Sequence, residues 1–159
     1  MANAKTTSKR PAAARKTRDN VFTDEERAAV QETARERSAA SRRNPTEERA
    51  EGEREVRAKL ADMPEPDRSM GERIHALVTK GVPTLVPRTY YGMPAYAKDG
   101  KVIAFFKPKS KFKVRYATFE FQADASLDDG EMWPVGFALT KLTPDAEAKI
   151  VELVKKAAG

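Results

Sequence analysis

The chain contains no cysteine and one histidine, His75. The first absence removes disulfides, thiolate metal sites and cysteine nucleophiles together. The second removes every histidine pair, so neither a two-histidine zinc site nor a triad with a second imidazole can be assembled. No glycine-rich phosphate loop and no serine in a nucleophile elbow is present. His75 stands beside Ile74 on an apolar stripe and reads as a packing residue. The expectation is a non-enzymatic binding domain. Long apolar runs are also missing: none approaches the roughly 18 residues that a membrane span needs. Met1 to Arg18 is basic without an apolar segment, unlike a secretory signal. These features point to a cytoplasmic protein with no membrane partner.

Aromatic residues are scarce in the first half. All four Tyr, the one Trp and six of seven Phe follow residue 89, and the seventh is Phe22. Enough apolar material to close a core is therefore concentrated toward the C-terminus. Charge is distributed in the opposite sense. The first twenty residues carry six Lys and Arg against Asp19 alone, so most of the net charge of +6 lies there. Residues 1–21, with no apolar period, read as a disordered basic tail that suits loose nucleic-acid contacts through counterion release.

Residues 22–62 read as a charged helical extension. Thr23 and Glu26 form a capping box. From Arg27 to Arg43 Val30 is the one large apolar residue, so this helix has no stripe to bury and depends on local pairs such as Glu32 with Arg35. Asn44-Pro45-Thr46 breaks it. A second helix follows to Asp62, with Val56 and Leu60 docking its end while its start stays solvated.

Residues 63–159 read as the folded domain. Met70, Ile74, Leu77 and Val78 make one helical stripe, stopped by Gly81 and Pro83. Gly92-Met93-Pro94 is a turn signal, and Asp99-Gly100 is a tight hairpin signal. Val102 to Phe106 reads as a strand. Phe112 to Phe121 reads as another, with a bulge near Ala117 reconciling its phase. Val135 to Leu139 is a last short strand, and Thr143-Pro144 starts a final helix that buries Ile150 and Val154. The fold class expected is α+β: helix, antiparallel sheet of four to five short strands, helix.

Three groups of residues suit binding chemistry. Asp124, Asp128, Asp129 and Glu131 put carboxylates in one loop, a donor set for hard cations and for ferrous iron. Lys107, Lys109, Lys111, Lys113 and Arg115 alternate. If extended, the chain there gathers five positive charges on one face, for phosphate, nucleic acid or an acidic partner, while Pro108 and Ser110 suggest a hairpin tip rather than a continuous strand. Tyr90, Tyr91, Gly92, Met93, Pro94 and Tyr96 form a rigid aromatic turn fit to line a pocket, with Trp133 as the further aromatic candidate.

The segments Tyr91-Gly92-Met93-Pro94-Ala95-Tyr96, Lys111-Phe112-Lys113-Val114-Arg115-Tyr116-Ala117-Thr118, Met132-Trp133-Pro134 and Phe137-Ala138-Leu139-Thr140 resemble the YdhG-like family, a domain of unknown function. The resemblance covers about Met63 to Ala158. It implies a compact helix–sheet–helix domain with a frataxin-like layout. Because the family includes a protein described as a frataxin-like iron chaperone, it also implies iron as a ligand and an iron-handling protein as a partner. Nucleic-acid or phosphoanion binding, and a protein-interaction scaffold, are the alternatives drawn from the residues themselves.

Overall fold

A computed structural model describes residues 22–40 and 44–159. The reading of residues 1–21 as a disordered tail lies outside the described residues. The elements run α1 (Asp24–Ala40), α2 (Pro45–Asp62), α3 (Asp67–Gly81), β1 (Val86–Tyr90), β2 (Met93–Lys98) and β3 (Lys101–Lys107). They continue with α4 (Lys109–Phe112), β4 (Ala117–Phe121), β5 (Gly136–Leu139) and α5 (Pro144–Ala158). The five strands form one antiparallel sheet in the order β1-β2-β3-β4-β5. Each strand pairs with its sequence neighbour, as short connections require. The α+β class is the one the sequence predicts. No described helix is long and apolar enough to cross a membrane.

Alternation along the strands divides the apolar residues between two faces. Tyr96, Ala104, Phe106 and Phe119 face the main core, where Ile74 and Val78 of α3 and Ile150 and Val154 of α5 meet them. Val56 and Leu60 of α2 belong to the same cluster, so three helices cover this face and the core is continuous across residue 63. Met93, Ala95 and Phe105 point the other way and form a small second cluster with Tyr90, Tyr91, Val102 and Phe112.

α2 starts solvated, as expected, and engages the sheet from its middle onward. Asn44 completes a capping box with Glu47, and Pro45 occupies the first turn. Gly52 then lets the helix cross β1 at close range. A side chain there would run into the Pro87 carbonyl, so only glycine fits. Arg49 donates to the Pro83 carbonyl at 2.9 Å. At the other end of the chain, Arg73 and Glu147 tie α3 to α5 through paired hydrogen bonds of 2.8 and 2.9 Å.

One predicted strand, Phe112 to Phe121, forms only in its second half. Pro108 introduces the short helical turn α4, and Lys113 ends it in the left-handed region at φ 53°. The phase change expected as a bulge near Ala117 is therefore a break ahead of the strand, and β4 begins at Ala117, with Thr118–Phe121 paired to β3. The register irregularity of the sheet lies instead between β2 and β3, at Tyr96/Ala97.

Candidate functional site

The β1–β2 connection has two residues. Tyr90 pairs with Met93, while Tyr91 and Gly92 both have positive φ, 49° and 72°. This is the hairpin geometry that matches strand twist. Met93 and Pro94, read from sequence as part of the turn, are instead buried residues of β2. Their placement stacks aromatic rings on the outer face: Tyr90 lies edge-on to Tyr91 at 4.5 Å and tilted on Phe105 at 5.4 Å.

A groove of about 390 Å³ opens beside these rings. Tyr90, Tyr91, Met93, Phe105 and Phe112 supply its apolar wall, and Phe22, Ala29 and Val30 line it from the α1 side. Glu26, Lys107, Glu120 and Gln122 are its polar lining. Phe22 and Val30 remain about half exposed, at 54% and 48%.

α1 lies over this face through polar contacts more than apolar ones. Thr23 and Glu26 make the predicted capping box, with hydrogen bonds of 2.8 and 3.2 Å. Ala29 and Thr33 are its buried residues. The local pairing expected of Glu32 gives way to contacts across the molecule. Its carboxylate accepts from Lys59 of α2, and from Lys111 of α4 at 3.0 Å. Burial raises the Glu32 pKa, but the two lysines outweigh it and hold the carboxyl below its usual range. Glu36 accepts from the Gly92 amide at 3.0 Å, yet burial dominates there and pushes its carboxyl up. Glu25 pairs with Lys113. Gly92 suits its positive φ, and a side chain there would push aside the Glu32 carboxylate and the Lys111 ammonium, the movable ends of two long side chains.

The five basic residues therefore do not share one face. Lys111 and Lys113 are paired with α1, Lys107 sits 4.9 Å above the Phe112 ring, and Arg115 sits 5.0 Å from Tyr116. Lys109 opens α4 and lines a separate small cavity with Arg115 and Asp67. The helical turn is the cause: alternation puts charges on one side only while the chain is extended.

The four acids are also dispersed. All are exposed. Asp124 pairs with Lys101 at 3.4 Å, while Asp128 and Glu131 line a cavity of about 540 Å³ beside Trp133. Asp129 is not part of that lining. Among the described residues no group of three or more His, Asp or Glu side chains is placed to hold a metal ion.

One functional-looking cluster was not legible. His75 is buried, its Nδ1 3.2 Å from the Tyr96 hydroxyl and its Nε2 2.9 Å from Glu53 Oε1. Tyr96 is fully buried and its phenol is pushed well up by desolvation. For Glu53, burial pushes upward, but hydrogen bonds from His75 and Arg57 bring the carboxyl below its usual value. The cluster joins α2, α3 and β2 with every buried polar side-chain atom partnered. Val56 and Leu60 are the sequence signal that α2 docks, but nothing in the spacing names Glu53 as the partner of His75.

Comparison of the chain with protein-family profiles, with curated proteins and with solved structures returns no match.

Proposed function

We propose that this protein is a non-enzymatic interaction module that receives an apolar side chain of a partner polypeptide in the groove between α1 and the outer face of the sheet. The observation that carries the reading is the groove's composition. It has aromatic walls from Tyr90, Tyr91, Phe105 and Phe112, and its mouth is extended by the exposed Phe22 and Val30. Partly dry aromatic pockets with a polar rim are where partners anchor an apolar residue. The groove's size fits that role, at the low end of ordinary ligand pockets. Selection of displayed random peptides on the full chain tests it. Enriched peptides share an aromatic or large aliphatic anchor and lose binding to Tyr91→Asn. That variant removes a ring but suits the turn, because Asn accepts positive φ. Enriched peptides indifferent to Tyr91→Asn would refute the reading.

A second reading, iron handling, comes from the YdhG-like resemblance. It has one local support: Asp128 and Glu131 share the wall of one cavity. Anaerobic titration of ferrous iron into the full chain tests it. Saturable heat that disappears in Asp128→Asn/Glu131→Gln would favour iron, and heat equal to buffer would remove it.

A further inference from the structure

We infer that Lys59 and Lys111, with Gly92 between their elements, form a carboxylate site for an acidic helical segment of the partner, and that Glu32 of α1 fills this site in cis. The inference rests on the groove being where the partner binds, and it adds the partner's chemistry and its built-in competitor.

Three observations lead to it. Two ammonium groups from α2 and α4 converge on the same carboxylate. Such a pair repels unless an anion sits with it, so the site demands a negative partner. Gly92 supplies the space, since any side chain there would displace the carboxylate. The same two lysines and Gly92 line a cavity of about 320 Å³ together with Ser110, Pro108 and one acid, Asp62, so an incoming carboxylate reaches them along a wall with two positive charges and one negative.

The resident occupant is exchangeable. α1 buries Ala29 and Thr33, and its Glu25, Glu32 and Glu36 add polar contacts of a kind that water and other anions can replace. It also shows what a replacement needs. Ala29 lines the groove three residues before Glu32, so one helical face carries an apolar residue and then, a turn later, the carboxylate. A partner helix with that spacing, taking the place of α1, meets the sheet-side wall of the groove (Tyr90, Tyr91, Met93, Phe105 and Phe112) and the lysines together.

The test uses the full chain and a fluorescein-labelled peptide with the sequence of residues 24–40, read by anisotropy. Glu32→Gln removes the competing charge and binds the peptide at least about tenfold more tightly than the wild type, the loss of one charged hydrogen bond. Glu32→Lys, which repels both lysines, binds at least as tightly as Glu32→Gln. Adding Lys59→Ala/Lys111→Ala to Glu32→Gln abolishes the gain. Equal affinity of the wild type and both Glu32 variants overturns the inference, as does a gain that survives loss of the lysines. Tyr91→Asn in the Glu32→Gln background separates the two readings. If it alone weakens the peptide, the groove stands and the lysine site falls; if neither change matters, both fall. Displacement of the peptide by a single-stranded oligonucleotide of matched charge would overturn the acidic-helix assignment in favour of nucleic acid.

Discussion

The Lys111 ammonium lies 3.0 Å from Oε2 of Glu32, although the two residues are 79 positions apart. The contact fastens the first described helix to the connection between β3 and β4, across the outer face of the sheet. Lys111→Ala therefore releases α1 selectively. Amide exchange across residues 24–40 accelerates, while α3 and α5 are unchanged. The cost is about 1 kcal/mol, since the pair is partly exposed. Unchanged exchange in α1 would show that the ion pair does not hold the helix.

Gly52→Ala destabilises the fold. Alanine gains about 1 kcal/mol of helix propensity, but its methyl group runs into the Pro87 carbonyl and α2 must move off β1. Overpacking of this kind costs about 1–3 kcal/mol, and more where backbone has to shift. Urea denaturation should show a net loss. A gain would mean that α2 crosses β1 less closely than described.

The His75 cluster makes a second stability prediction. Tyr96→Phe leaves Nδ1 of His75 without its hydroxyl partner, and His75→Leu strands that buried hydroxyl while Glu53 keeps its hydrogen bond from Arg57. Each loss costs about 1–3 kcal/mol. The double variant should cost less than the sum, because the second change removes the group left unpaired by the first. Additive losses would argue that the two contacts are independent.

Acid stability follows from the carboxylates. Glu32 and Glu53 sit below the ordinary value of 4.5, so their contributions are complete above about that pH and disappear as pH falls through their folded values. Glu36 has the opposite sign: burial raises it, and its contribution is lost as pH rises through its folded value. Glu36→Gln should therefore enlarge the stability difference between about pH 3 and pH 7. A smaller difference in chemical denaturation would contradict the sign assigned to Glu36.

Sequence periodicity made the fold class legible because α3, α5 and the strands are held by apolar burial, which leaves a pattern. Met70, Ile74 and Val78 are buried at the expected spacing. Asp99-Gly100 closes a hairpin as its composition predicts. The seating of α1 left no such pattern, since it depends on Glu32 and Glu36 finding Lys59, Lys111 and a backbone amide far away in sequence. In the basic segment Pro108 and Ser110 signal a tip between strands, and the chain does turn there, but which partner each lysine finds depends on packing that the alternation does not encode. Of the candidate site, the aromatic turn was visible, but its lid and its anion contacts were not.

The most direct test of the groove is hydrogen exchange on the full chain with and without a peptide selected on it. Binding at the outer face predicts slowed exchange at residues 90–93 and 105–112, with altered exchange in α1. Protection confined to residues 123–135, around the cavity of Asp128, Glu131 and Trp133, would contradict it.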